Sequence, residues 1–264
     1  MEVLTPRSLD EALRLKSERP EAHPIAGGTD VMVELNFDRL RPQALLNLSE
    51  VPELRGWARV NGKLRLGAGL TYAEAMQPAL ADLLPALAEA SRTVGSPQIR
   101  NRGTIGGNLG TASPAGDALP PLLVEDAEVE LASVRGVRSL PLHEFLQGPK
   151  ENALEPDELV TGVLVRPSGA RQTFMKVGPR NAMVIAVCSL ALAVDRERDE
   201  IRASFGSAGP VAGLVVAPLS DVESFPEQVA DAASPIDDVR GTAAYRRHAL
   251  RVLTRRAIER CLAA

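Results

Sequence analysis

The stretches Ile25-Ala26-Gly27-Gly28-Thr29-Asp30 and Thr104-Ile105-Gly106-Gly107-Asn108 decide how this chain is read. Each sets a glycine pair inside an apolar run and follows it closely with a small polar residue. Glycine enters positive φ freely and puts no Cβ between a ligand and the backbone, so successive N–H groups can line a concave anion nest. The two stretches predict two loops closing on one anionic ligand, for which the diphosphate of a dinucleotide is the natural guest.

Outward from the first stretch, Ser8 caps a short amphipathic helix with Leu9, Ala12 and Leu13 on its apolar face and Glu11 at N3, ending near Pro20. His23 to Ala26 reads as a strand entering the first glycine turn, and Ala44 to Leu48 as a second buried strand. A new part starts near Gly56. Lys63 to Gly69 alternates polar and apolar as a half-buried strand does, and Thr71 caps a helix from Tyr72 with Glu74 at N3. Leu80 to Arg92 has helical spacing, Val94 to Asn108 carries the second glycine loop, and Pro120 to Val124 starts another helix. Glu128 to Ala132 alternates again, and a strand ends near Arg166. From Arg171 the pattern becomes a meander of three strands, Thr173–Gly178, Ala186–Asp195 and Ile201–Gly209, with Asp195 to Asp199 as a charged hairpin tip. Gly213 to Asp221 fits no single pattern. Helices over Phe225–Ala233 and Thr242–Leu262 follow, the last with Leu250, Leu253, Ile258 and Leu262 on one side.

Composition narrows the class. The 264 residues are 45% apolar, as in an ordinary globular protein. Thirty basic against 34 acidic side chains give a net charge of −4, and aromatics make up 3%, so neither a nucleic-acid footprint nor a stacking platform is expected. The first twenty residues carry charges throughout, so no secretory leader is expected there. No later stretch is long and apolar enough to span a membrane, and a cytoplasmic protein is expected. Cys188 and Cys261 are the only cysteines. They supply no disulfide framework and no four-thiolate iron–sulfur site, and read as two packed thiols.

Other chemistry is absent from the pattern. Gly67-Ala68-Gly69 lacks the third glycine of a nicotinamide fingerprint. His23, His143 and His248 are scattered without metal-site spacing, so no metal ligand is assigned. Ser96 and Ser113 sit on no nucleophile elbow. Tyr245-Arg246-Arg247-His248 with Arg251, Arg255 and Arg256 reads as a solvated face or a subunit contact.

The ordered series of motifs resembles the FAD-binding (medium) subunit of the xanthine dehydrogenase, aldehyde oxidoreductase and carbon monoxide dehydrogenase family of molybdenum hydroxylases. The series is Ala26-Gly27-Gly28-Thr29-Asp30, Leu66-Gly67-Ala68-Gly69-Leu70-Thr71, Gln98 through Asn108, Ala112-Ser113-Pro114 with Asp117, Lys176 with Arg180, and Asp238-Val239-Arg240-Gly241 with Tyr245-Arg246-Arg247. It covers nearly the whole chain.

The resemblance implies an α+β fold: a two-lobed FAD-binding domain of the vanillyl-alcohol oxidase type, with lobes at 1–55 and 56–168. A C-terminal domain at 169–264, with a three-stranded antiparallel sheet and helices, follows. It implies FAD as cofactor and assigns positions to it. Pro24, Ile25, Ala26, Gly27, Gly28, Thr29, Asp30 and Val31 match the first FAD loop. Thr104, Ile105, Gly106, Gly107 and Asn108 match the second, closing over the same phosphates. Asp117 matches an acidic position suited to the adenosine hydroxyls, Val94 an apolar contact, and Val160 and Lys176 positions lining the flavin. An ammonium near N1 and O2 of the flavin would raise its reduction potential, which gives Lys176 a purpose. Ala182-Met183-Val184-Ile185 stands where some relatives carry an aromatic cover for the ring.

The implied function is electron transfer within a larger complex. An iron–sulfur small subunit and a molybdenum-cofactor large subunit are the implied partners, in a dimer of heterotrimers. Electrons pass through FAD to an acceptor such as NAD⁺, a quinone or O₂, and no catalytic acid or base is named. Two alternatives remain: a self-contained FAD oxidase or dehydrogenase of the vanillyl-alcohol oxidase class, or a scaffold that has lost its flavin.

Overall fold

The computed structural model describes residues 1–263. The chain opens with β1 (Glu2–Leu4), α1 (Leu9–Glu18), β2 (His23–Ile25), α2 (Val31–Asn36) and β3 (Ala44–Asn47), whose strands form a parallel sheet in the order β1-β3-β2. Ser8 caps α1 as its sequence predicts, its side chain accepting from the Glu11 amide at 3.2 Å.

There follow β4 (Trp57–Val60), β5 (Lys63–Gly67), α3 (Tyr72–Ala75), α4 (Pro78–Ala81), α5 (Pro85–Thr93), α6 (Pro97–Arg100), α7 (Ile105–Thr111) and α8 (Leu119–Val124). Then come β6 (Glu128–Ser133), β7 (Gly136–Pro141), α9 (Leu142–Phe145), the small β8 (Leu146–Gly148) and β9 (Glu151–Asn152) pair, and β10 (Leu159–Val165). An antiparallel sheet runs β4-β5-β10-β6-β7. Leu64 and Leu66 of β5 are fully buried while Lys63 and Arg65 reach Glu128 and Glu130 at 2.5 and 2.7 Å, so the alternation read in the sequence marks the two sheet faces. Burying each such leucine contributes about 2 kcal/mol. The helix expected over Leu80–Arg92 is two helices. Pro85 starts the second, and a proline bends its predecessor, Leu84, out of the helical region.

The last part has β11 (Arg171–Val177), β12 (Cys188–Asp195), β13 (Glu200–Gly206), β14 (Gly213–Pro218), α10 (Phe225–Ala232) and α11 (Ala243–Ala263). Its sheet has four strands in sequential order, not the expected three, because the ambiguous stretch after Gly213 pairs with β13 along its whole length. One face, with Cys188, Leu190 and Leu192, packs on α10 and α11. The other, with Phe174, Ala191 and Ala193, packs on α5 and α8. The outer edge of β11 is capped by Glu89 of α5, which accepts from the Phe174 amide at 2.7 Å and pairs with Arg260 at 2.7 Å.

In α11 it is Cys261, not Leu262, that joins Leu250, Leu253 and Ile258 in the core. Its basic segment is solvated at Tyr245, His248, Arg255 and Arg256, as expected, with Arg246 the exception. Arg246 is only 2% exposed, donating to the Ser207 carbonyl and to Asp238 at 2.5 Å each, while Arg251 and Arg255 pair with Glu227. Both cysteines are buried, which pushes Cys188 up to about 12 and Cys261 to about 11. Among the described residues no helix is long and apolar enough to cross a membrane, and no cluster of His, Cys, Asp and Glu could hold a metal ion.

Candidate cofactor site

The two glycine stretches meet. A methyl group on Gly27 would overlap the carbonyl oxygen of Arg102, so the first turn touches the chain just before the second stretch. Asp30 accepts from the Thr111 hydroxyl at 3.0 Å, tying the first turn to the helix that starts in the second stretch, and Glu34 pairs with Lys150 of the β8–β9 turn at 3.0 Å.

Their backbones differ. Pro24 and Ile25 lie in β2, paired with β3. After Ala26 the chain leaves the sheet, and Gly28 adopts φ +73°, a conformation that costs other residues about 1–2 kcal/mol. The amides of Gly27, Gly28, Thr29, Asp30 and Val31 have no protein acceptor among the described residues. Five adjacent donors are thus left at a half-exposed turn.

The second stretch is a helix start rather than an open loop. Thr104 is the N-cap of α7, and its hydroxyl accepts from the Gly107 amide at 3.0 Å. Ile105 donates to the Leu70 carbonyl at 2.9 Å, Gly106 to the Ala68 carbonyl at 2.8 Å, and Asn108 to the Thr104 carbonyl at 3.1 Å. The expectation of a second amide-lined nest fails, because strand-end carbonyls already take the donors that a helix start normally leaves free. Neither Gly106 nor Gly107 has positive φ. Gly106 is required by contact: a methyl group there would lie 2.5 Å from Cβ of Ala68.

Polar side chains collect beside α7. Asn108 packs its amide against Gly116, and its Oδ1 is buried without a partner. One residue after Gly116, Asp117 is buried with Lys176. The ammonium nitrogen lies 2.5 Å from Oδ2 of Asp117 and 3.3 Å from the Thr93 carbonyl, and Oδ1 of Asp117 also lacks a donor. Burial raises the Asp117 carboxyl above the ordinary carboxylate range, with the Lys176 ammonium pulling it back. Burial likewise raises the Tyr72 hydroxyl, helped by the Asp117 and Asp30 carboxylates. Thr93 and Lys176 line a cleft of about 310 Å³ with Gly178, Arg180 and Val184.

Val94 follows Thr93 at the end of α5 and packs against the core. Val160 is a core residue of β10 beside an irregularity at Thr161, whose carbonyl accepts the Ala68 amide beneath Gly106. Asp30, Asn108, Asp117 and Lys176 therefore link through α7 and the Gly116–Asp117 segment, Val160 lies in β10, which packs on α7, and Pro24 and Ile25 lie in β2 leading into the first turn. Thr93, Tyr72 and Thr111 belong to the same cluster, although no sequence motif points to them. Each is an ordinary helix residue in the sequence, and only the fold puts it there.

A family model described as the FAD binding domain in molybdopterin dehydrogenase matches residues 1–167. Over 275 aligned residues the chain is 30% identical to the putative xanthine dehydrogenase FAD-binding subunit of Escherichia coli K12, covering 97% of this chain and 94% of that protein. It is 37% identical over 201 residues to the nicotinate dehydrogenase FAD-subunit of Eubacterium barkeri, covering 73% and 68%. A chain of the reconstituted CO dehydrogenase from Oligotropha carboxidovorans superposes with a TM-score of 0.92 at 25% identity, covering 100% of this chain and 98% of that one.

Proposed function

The chain belongs to the FAD-binding domain family of the molybdopterin dehydrogenases, and from that premise we propose that it is the electron-transfer subunit of a molybdenum hydroxylase complex. It takes electrons from the iron–sulfur clusters of a small subunit, while a large subunit with the molybdenum cofactor oxidises the substrate. NAD⁺, a quinone or O₂ is the final acceptor, and the complex is a cytoplasmic dimer of heterotrimers. Residues 1–55 and 56–168 form the two lobes of a vanillyl-alcohol oxidase type domain, with 169–264 as the C-terminal domain.

The observation that carries this reading is the run of unengaged amides from Gly27 to Val31 beside two buried acceptors that lack donors, Oδ1 of Asn108 and Oδ1 of Asp117. Native structures rarely leave buried polar groups unpaired, and a ligand rich in phosphate oxygens and sugar hydroxyls completes both sets. The Gly27–Val31 turn holds the diphosphate of FAD, and Asp117 accepts from hydroxyl groups of the cofactor. Gly106 lets α7 sit close to β5, which brings Thr104 to Asn108 up to the bound dinucleotide as a wall. Bound FAD supplies the redox chemistry, and the chain supplies its position and electrostatics.

Copurification under mild conditions with a visible spectrum tests the function. Flavin bands on this chain, iron–sulfur bands only in the complex, and no turnover of a small substrate by the chain alone are expected. A colourless chain that takes up no added FAD, or a flavoprotein that turns over substrate alone, contradicts it.

A further inference from the structure

The resemblance sends Lys176 to the flavin ring and Asp117 to the adenosine end of the cofactor. The structure joins them in one ion pair, 2.5 Å between nitrogen and oxygen, with both side chains buried. The two ends of FAD are separated by a ribityl chain, a diphosphate and a ribose, so one such pair does not serve both. Two of the lysine's three donors are engaged, by Oδ2 of Asp117 and the Thr93 carbonyl, and its charge is met by the carboxylate. Asp117 is the member with a free acceptor, Oδ1.

The fold holds the lysine in that role. Lys176 lies opposite Ser189 in β12, which lies opposite Gly206 in β13. The next residue, Ser207, donates its amide to the Pro114 carbonyl at 2.7 Å, pinning the segment that carries Asp117 to the same end of the sheet as Lys176. Gly206 is crowded here: a methyl group there would lie 2.6 Å from the Ser189 hydroxyl oxygen and 3.3 Å from the Pro114 carbonyl oxygen.

We propose that Lys176 is a positioning residue, whose ammonium holds Asp117 as an oriented anion with Oδ1 left to accept from the cofactor, and that it does not stabilise charge on the flavin ring. The proposal rests on FAD being the bound cofactor. Asp117 is faced by Lys176 from β11 and by the neutral Thr93 on α5, and its carboxylate acts together with Asp30 on the Tyr72 hydroxyl of α3. Lys176 is the cation among these groups. Without it burial favours the protonated acid, which cannot use both oxygens as acceptors.

The test titrates the full apo chain with oxidised and with chemically reduced FAD, near pH 6 and near pH 8.5. It compares the wild type with Lys176→Met and with the doubly neutral Lys176→Met/Asp117→Asn. For Lys176→Met we expect affinity about tenfold weaker at the lower pH, largely regained at the higher, because burial raises the Asp117 carboxyl once its cation is gone and the acid form gains as pH falls. The wild type and the double variant show no such dependence, and the ratio of affinities for the two redox forms stays within about twofold in every variant, since no cation near the ring has been lost. An equal loss at both pH values, or a ratio shifted toward oxidised FAD, overturns the proposal. If Lys176→Met does not fold, the redox ratio of the charge-balanced double variant decides. A wild-type chain that binds no FAD defeats the cofactor assignment itself, a result distinct from these.

Discussion

Between Gly27 and Val31 five consecutive amides have no acceptor, whereas between Ile105 and Asn108 four consecutive amides are all taken by Leu70, Ala68 and Thr104. The dipeptide is the same in both places. In the first, Gly28 at φ +73° turns the chain out of the sheet, and the donors around it find no acceptor in the protein. In the second, Gly106 lets a helix start press against the chain just past β5, where the Ala68 and Leu70 carbonyls reach its first amides. A glycine pair next to a small polar residue thus marks either a surface that offers donors or a contact too close for Cβ, and sequence alone does not separate the two.

Substitutions at the two pairs have different consequences. The largest effect belongs to Gly27→Ala, whose methyl group overlaps the Arg102 carbonyl. Urea unfolding is expected to show a loss of about 3 kcal/mol, because two backbone segments must part. Gly106→Ala costs about 2 kcal/mol for the same reason, against the Ala68 side chain and carbonyl. The fraction that stays folded binds FAD nearly as well as the wild type, and a collapse of binding without a loss of stability would move the phosphate-holding role from the first turn to α7.

Gly28→Ala reverses that order. Its methyl group has ordinary room, 3.4 Å from Cγ of Met32, so the cost is the left-handed conformation, about 1 kcal/mol of stability. Relaxing that φ swings the neighbouring amides off target, and FAD affinity measured by fluorescence titration falls about tenfold. Smallest is Thr104→Val, which removes the α7 cap. Thermal unfolding is expected to report about 1 kcal/mol, with FAD affinity within twofold of the wild type.

Features set by near neighbours are legible in the sequence. Ser8 with Glu11, and Thr71 with Glu74, are caps whose partners lie three residues away. Leu64 and Leu66 alternate with charged neighbours because one sheet face is buried. What the sequence hides depends on distant chain. The carbonyls that consume the α7 amides come from Ala68 and Leu70, the carboxylate that holds Lys176 lies 59 residues earlier, and Arg246 looks solvated until Ser207 and Asp238 surround it. Strand β14 escapes a sequence reading because Gly-Leu-Val-Val-Ala-Pro does not alternate, and as an outer strand it takes its register from β13.

Amide hydrogen exchange with and without FAD, read residue by residue, decides whether the two glycine pairs differ in this way. Gly27 through Val31 should exchange fast in the apo chain and slow down when FAD binds, while Gly106 and Gly107 should be protected in both states. Fast exchange at Gly106 and Gly107 that slows only on adding FAD, with the first turn unchanged, would contradict it.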